Sequence, residues 1–324
     1  MGWLSFVAHR AAGTVVGRAL SPFERLALRR FHDEPLAFPP VFVVGAPRTG
    51  STILQEFITN YLDVAYLNNF MASYERTIYL AFKVSLWWYK DAPHNCFDSR
   101  FGKTWLHSMN APHECGMLWR RWIPADVHFV DKGYLSEHAK REMRATATGI
   151  INTAMKPLVF KNLFMGQRLR MIKEVFGDAK FIFCRRDPLY TAQSILKVRV
   201  DALRDRDQWL SVRPREYDQL RDMSVEEQVV WSIHYLERQI LEDLALFDAD
   251  RCLDVQYEDL CREPQEQLER IRLFVEKGGA AVDYRASVPH EPLDTSNRQR
   301  IDDDTFARLE TLVNSIDWTF AETV

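Results

Sequence analysis

Val41-Phe-Val-Val-Gly45-Ala-Pro-Arg48-Thr-Gly50-Ser51-Thr52 is the stretch from which the fold of this chain can be read. Four consecutive apolar residues, three of them valine, predict a short strand buried on both faces. A glycine-bounded turn follows, and Thr52 to Tyr61 behind it has helical spacing. A strand, turn and helix in this order aim successive backbone N–H groups at one point. The helix start adds roughly half a positive charge, so the turn between Gly45 and Gly50 is built to hold an anion. Thr49, Ser51 and Thr52 bring hydroxyl donors to the same place. In the nucleoside-triphosphatase version of this turn, position 51 is a lysine that reaches the outer phosphates; here it is Ser51, and the cation has moved inside the turn to Arg48. That arrangement argues against metal-dependent triphosphate hydrolysis. It suits a metal-free transfer of an anionic group from a 5′-phosphate.

Working outward, Leu158 to Lys161, Lys180 to Cys184 and Cys252 to Tyr257 are further short apolar runs separated by helical segments, of which Ser136 to Met155 and Ser224 to Phe247 are the longest. The alternation predicts an α/β fold of the P-loop type, a three-layer α/β/α arrangement around a central parallel sheet. We expect residues 1–324 to form a single domain. Residues 61–130 hold 15 of the 40 aromatic residues and are expected to build an acceptor pocket or lid rather than part of the sheet. At the N-terminus Trp3, Leu4, Val7, Ala11 and Val15 share one helical face, interrupted by His9, Arg10 and Arg18, which reads as a packing helix rather than a signal peptide.

Composition narrows the function classes. A net charge of −3 from 42 basic and 45 acidic residues lacks the basic field of a nucleic-acid binder. No apolar run approaches the roughly 18 residues of a membrane span, although contact with a membrane surface stays open. The five cysteines are odd in number and form no C-x-x-C pair, which fits a reducing, cytoplasmic setting and no metal site. The basic residues are 31 Arg against 11 Lys, and arginine's planar fork of donors suits phosphate and sulfate oxygens.

A second motif lies downstream. Phe181-Ile-Phe-Cys184-Arg185-Arg186-Asp187-Pro188 reads as a strand ending in a basic turn, with Asp187 as helix cap and Pro188 in the first turn. Ser194 follows on that helix, eight residues after Arg186. Together the two motifs resemble the 5′-phosphosulfate loop and the 3′-phosphate site of sulfotransferases that use 3′-phosphoadenosine 5′-phosphosulfate (PAPS). The Arg48 form of the loop is similar to that of tyrosylprotein and many bacterial sulfotransferases.

The resemblance implies transfer of a sulfuryl group from PAPS to a hydroxyl or amine of a small-molecule, carbohydrate or lipid acceptor, without a metal. It implies Arg186 and Ser194 at the 3′-phosphate and Tyr257, in Tyr257-Glu-Asp-Leu260, near the adenine. Arg298, in Asn297-Arg-Gln-Arg300, is the nearest counterpart of the basic loop that closes over the 3′-phosphate in this family. Arg48 and Lys161 are the candidates for stabilising charge on the leaving phosphate. The general base departs from the family pattern, since Leu163 stands where cytosolic members carry histidine. Ala111-Pro-His113-Glu114-Cys-Gly116 resembles an element of bacterial members, so His113 and Glu114 are the candidate bases, with Glu75 the runner-up. The rival readings are a P-loop kinase or hydrolase and a non-catalytic nucleotide-binding scaffold.

Overall fold

The structure is a computed structural model that describes residues 3–90, 92–97, 108–289 and 291–320, with side chains from residue 13 onward except residue 14. In chain order the helices and strands are α1 (Trp3–Leu28), β1 (Val41–Val44), α2 (Ser51–Tyr61), β2 (Ala65–Tyr66), α3 (Asn69–Ser73), α4 (Ile78–Tyr89), α5 (Gly116–Trp119) and α6 (Glu137–Ala154). They continue with β3 (Leu158–Lys161), α7 (Leu169–Val175), β4 (Lys180–Arg185), α8 (Pro188–Val198), α9 (Tyr217–Leu220), α10 (Val225–Leu244), β5 (Cys252–Gln256), α11 (Tyr257–Arg262), α12 (Pro264–Glu276) and α13 (Asp303–Asn314). The five strands form one sheet in the order β2-β3-β1-β4-β5, every neighbouring pair parallel.

Because side chains alternate along a strand, the uniformly apolar β1 serves two cores at once. Phe42 and Val44 join one cluster and Val41 and Val43 the other, all four fully buried. Register aligns Phe42 with Phe160 on β3 and Phe181 on β4, and the three rings stack across the sheet at centroid separations of 5.2 and 5.8 Å. The long helices are closed by their own sequences: Ser224 and Glu227 form a reciprocal capping box on α10, and Ser136 accepts from the N–H of Ala139 at the start of α6.

Three sequence expectations are corrected. Ala65 and Tyr66, inside the aromatic-rich segment, pair with Leu158 and Val159 as an edge strand, so that segment does contribute to the sheet. Tyr257 does not end β5 but opens α11, which turns its ring toward the β1 loop. Val15 is 68% exposed and not on the packing side of α1. The seam there is made by Gly13 and Gly17; a β-carbon on Gly13 would stand 2.0 Å from the Ser73 carbonyl oxygen. The side chains of Trp3, Leu4, Val7 and Ala11 lie outside the described residues.

Truncating the middle ring of the phenylalanine row removes contacts on both flanks where no neighbour can collapse into the gap. Phe42→Ala is expected to lower unfolding free energy by about 3–5 kcal/mol in urea titration. A loss below about 1 kcal/mol would contradict this account of the core.

Candidate active site

The β1 loop leaves the sheet pressed against β4. A β-carbon at Gly45 would meet the Cys184 carbonyl oxygen at 2.4 Å, and one at Gly50, where φ is +86°, would meet the Tyr257 ring at 2.3 Å. Glycine is required at both ends by close approach, and at Gly50 also by backbone conformation. Between them Arg48 holds φ at 70°, a left-handed backbone that costs a side-chain-bearing residue about 1–3 kcal/mol and is concentrated at functional sites.

The strain points Arg48 into a crowded electrostatic environment. Its Nε donates to Ser194 Oγ at 3.1 Å, and Arg186 Nη1 donates to the Arg48 carbonyl at 3.2 Å. Arg186 is 6% exposed and reaches only neutral acceptors: Asn297 Oδ1 from Nε and Nη2 at 2.9 and 2.7 Å, and Ser296 Oγ from Nη2 at 2.9 Å. Its guanidinium lies 4.8 Å from the centre of the Tyr257 ring. Burial pushes the Arg48 guanidinium below its ordinary value, and the charge of Arg186 pushes the same way. Burial also lowers Arg186, opposed by Tyr257, Glu258 and Asp187. Among the described residues no carboxylate forms an ion pair with either arginine. Two desolvated like charges side by side, offset only by carboxylates that do not ion-pair with them, form a seat for an anion.

Lys161, at the end of β3, is 3% exposed. Its Nζ donates to Thr52 Oγ1 at 3.2 Å and forms a short ion pair with Glu114 Oε1. Glu114 is held by its backbone, since Asn162 Nδ2 donates to its carbonyl at 3.3 Å and Cys115 next to it adopts φ of 43°. His113 has a different place. Its Nδ1 accepts the Cys115 N–H at 2.8 Å and its own N–H bonds the Leu67 carbonyl, so it braces the turn that presents Glu114.

Arg48, Arg186, Lys161 and Glu114 line one cavity of about 640 Å³. Its polar end holds Arg48, Ser51, Thr52, Lys161 and Arg186; Ile53 and Phe57 of α2, Tyr61, Phe97, Leu163, Val198 and Leu210 form apolar walls. Tyr61 and Phe97 stack at 5.7 Å, and His94 packs 5.8 Å from Phe97. His94 Nδ1 accepts the Cys96 N–H at 3.0 Å, and Nε2 lies 3.2 Å from the Glu56 carbonyl and 3.1 Å from Thr59 Oγ1, which fits the neutral ring carrying its hydrogen on Nε2. Burial holds its pKa down to about 4, with Arg285 adding to the effect against the Glu56 bond.

A sequence profile described as "Sulfotransferase family" matches residues 39–276, most of the chain and all five strands. The chain belongs to the sulfotransferase family. It is an enzyme that transfers sulfuryl groups. The omega-hydroxy-beta-dihydromenaquinone-9 sulfotransferases Stf3 of Mycobacterium bovis and Mycobacterium tuberculosis are each 24% identical to it over 286 residues, covering 80% of this chain and 68% of theirs. Among solved structures, sulfotransferase STF9 from Mycobacterium avium aligns with a TM-score of 0.49 at 17% identity, covering 88% of this chain and 70% of its own. Sulfotransferase STF1 from M. tuberculosis H37Rv aligns at 0.47 and 17%, covering 81% and 74%.

In this sulfotransferase most of the residues singled out from sequence converge, and several do so differently from expectation. Arg48, Gly50, Ser51, Thr52, Lys161, Glu114, Arg186 and Tyr257 line the cavity. Gly45 and Thr49 do not; the Thr49 hydroxyl is buried and donates to the Ala46 carbonyl at 2.9 Å, which makes it a brace of the loop rather than a donor to an anion. Ser194 bonds Arg48, not Arg186. Arg298 turns outward, its side chain 66% exposed and 3.9 Å from Asp294, and it is held through its backbone: its carbonyl accepts from Gln193 and its N–H donates to the Ser296 carbonyl. The C-terminal segment meets the site through Ser296 and Asn297 instead. Ser296 was invisible in the sequence, an uncharged residue 110 positions from the arginine it bonds. Glu75 and His113 do not line this cavity; Glu75 lines a separate pocket between α1 and α5. Among the described residues no cluster of acidic, histidine or cysteine side chains could hold a metal ion.

The depressed His94 value fixes a sign for pH dependence. The folded state disfavours the charged ring, so its contribution is present above the unfolded value of 6.5 and is lost as pH falls from there toward 4. The loss is expected to reach about 3 kcal/mol. His128 is lowered to about 4 in the same way and burial lowers His234 as well, so His94→Gln should reduce but not abolish the histidine-linked slope in urea titrations between those pH values. An unchanged slope would contradict the assignment.

Proposed function

We propose that this sulfotransferase takes PAPS as its donor and sulfates a hydroxyl carried on an apolar body. The observation that carries the donor assignment is the adjacent pair of guanidiniums, Arg186 buried and Arg48 half-buried, with no carboxylate ion-paired to either among the described residues. A donor with separate phosphate groups at the 5′ and 3′ positions supplies the two negative centres this pair lacks. Arg48, Ser51, Thr52 and the backbone after Gly50 would hold the 5′-phosphosulfate end, and Arg186 the 3′-phosphate. Tyr257, against Gly50 and beneath Arg186, gives a face for the adenine side.

The donor contributes the sulfuryl group, whose bond to the 5′-phosphate oxygen breaks as a bond from sulfur to the acceptor oxygen forms. Lys161 and Arg48 stabilise the negative charge that builds on the departing oxygen; a preorganised donor of this kind is worth about 3 kcal/mol. Glu114 accepts the acceptor's hydroxyl proton. Its ion pair with Lys161 keeps it beside the loop, and Asn162 and His113 hold its backbone in register. The apolar walls, Phe57, Tyr61, Phe97 and Leu163 among them, would enclose the acceptor and exclude water. The hydroxylated menaquinone in the names of the Stf3 proteins supports an apolar acceptor. Residues 1–324 are read as one unit in which 61–130 supply Tyr61, Phe97 and Glu114 to the acceptor side. Free cysteines, with Cys115, Cys184 and Cys261 buried, favour a cytoplasmic setting.

Adenosine 3′,5′-bisphosphate is expected to raise the melting temperature without Mg²⁺; at a hundredfold excess over Kd the stabilisation is about 2.7 kcal/mol. ATP should do little, and tighter, Mg²⁺-dependent ATP binding would overturn the donor assignment in favour of a kinase. Arg186→Ala should erase the preference for the bisphosphate over adenosine 5′-monophosphate.

Glu114→Gln should lower the transfer rate by about 10²–10⁴ with donor KM unchanged, measured with ³⁵S-labelled donor and an acceptor pool. His113→Ala, which loosens the turn but leaves the carboxylate, should cost less than Glu114→Gln, and Glu75→Gln should stay within a few-fold of wild type. A Glu114→Gln enzyme of normal rate would remove the base assignment and leave the donor site standing. Wild type inert with every acceptor would favour a nucleotide-binding scaffold.

A further inference from the structure

Away from the donor cavity, α1 and α5 enclose an open pocket of about 570 Å³ whose walls carry five arginines: Arg18, Arg25, Arg76, Arg120 and Arg121. Three carboxylates face them. Glu24 is bound to the N–H groups of Tyr79 and Leu80 at 2.9 and 3.0 Å, where it caps α4. Glu142 accepts from Trp122 Nε1 at 3.3 Å and lies 3.7 Å from His138; Glu75 is the third. Among the described residues none of the five guanidiniums forms an ion pair with a carboxylate, and Arg121 Nη1 is buried without a hydrogen-bond partner.

The same helix has a second unusual face. Around α1 the order is a buried seam (Gly13, Gly17, Glu24, Leu28), then a row with Arg18, Ser21 and Arg25, then an apolar stripe open to solvent. In that stripe Val15 is 68%, Phe23 61% and Leu26 62% exposed, with Val16 and Leu20 beside them. The α4 helix, which Glu24 fastens to α1, repeats the combination with exposed Trp87 and Trp88, Lys83 and Lys90, and no acidic residue from Ile78 to Lys90.

We propose that this face docks the enzyme on an anionic phospholipid bilayer, α1 lying in the interface with its apolar stripe in the acyl boundary and the arginine pocket on lipid phosphates. An exposed apolar stripe flanked by basic side chains is the pattern of an interfacial helix. Tryptophan favours the same depth, and guanidiniums bind phosphate oxygens in pairs. A two-fold contact with a second copy would set unpaired arginines against their own like, which opposes dimerisation through this face. A free phosphate would satisfy the pocket but leave the stripe in water. The proposal does not depend on the identity of donor or acceptor.

The full-length protein is to be sedimented with vesicles of phosphatidylcholine alone and with about one-third phosphatidylglycerol added. It should bind the anionic vesicles at least about tenfold more tightly and lose that binding steeply as salt rises. Arg18→Ser with Arg25→Ser should abolish the preference for anionic vesicles. Phe23→Ser with Leu26→Ser should weaken binding roughly tenfold at every salt concentration. Both pairs should keep the melting-temperature rise given by adenosine 3′,5′-bisphosphate, which reports an intact fold, and the wild-type salt series requires no variant.

Equal binding to both vesicles, or none, overturns the proposal. So does stabilisation by inorganic phosphate that the arginine variants lose while vesicles stay unbound. A dimer in analytical sedimentation that Phe23→Ser with Leu26→Ser disperses, without vesicle binding, would make this face a protein interface instead.

Discussion

Two positive charges held close together, largely out of water and with no carboxylate in ion-pair contact, are the constraint around which this molecule is arranged. Arg48 and Arg186 repel each other, and burial strengthens that repulsion by removing screening water. In direct contact the fold opposes it with neutral dipoles, the hydroxyls of Ser194 and Ser296, the amide oxygen of Asn297, the Arg48 carbonyl and the face of the Tyr257 ring, while Glu258 and Asp187 offset the Arg186 charge from farther away. A carboxylate paired with these arginines would relieve the repulsion. Its absence costs stability, as does the left-handed backbone at Arg48, and such costs concentrate at functional sites.

The sheet makes this possible. With β1 in the middle, β3 on one side and β4 on the other, the carboxyl ends of three neighbouring strands deliver the Gly45 loop, Lys161 and Arg186 to one edge. The strand order reverses about β1, and crevices at such reversals are where open α/β sheets bind ligands. Glu114 joins from a loop outside the sheet, and the Thr52 hydroxyl at the start of α2 links Lys161 back to the loop.

What could be read in the sequence follows from what is local. The loop, the Arg186 turn, Lys161 and the order of strands are each carried by a few adjacent residues whose spacing states their geometry. The β2 edge was not legible, because two residues have no periodicity to show. The closing segment was not legible for a related reason: charge draws attention to Arg298, whereas the contact with Arg186 is made by the uncharged Ser296 and Asn297, which reach it only in three dimensions. That Glu114 and not His113 lines the cavity likewise depends on the left-handed backbone at Cys115 and the tether from Asn162. The outward face of α1 inverted its expected role, since two glycines rather than the larger apolar residues form its packing seam.

The contact of Gly50 with the Tyr257 ring has one more consequence. Loop, ring and the Ser296–Asn297 segment touch in series, and Gln193 ties that segment on to α8 through the Arg298 carbonyl and the Arg300 N–H. The segment lies just ahead of α13, so residues far along the chain wall a site that begins after β1. Occupancy of that cavity and the docking of the Ser296–Asn297 segment are therefore linked equilibria: whatever loosens the segment opens the wall, and whatever fills the cavity holds the segment down.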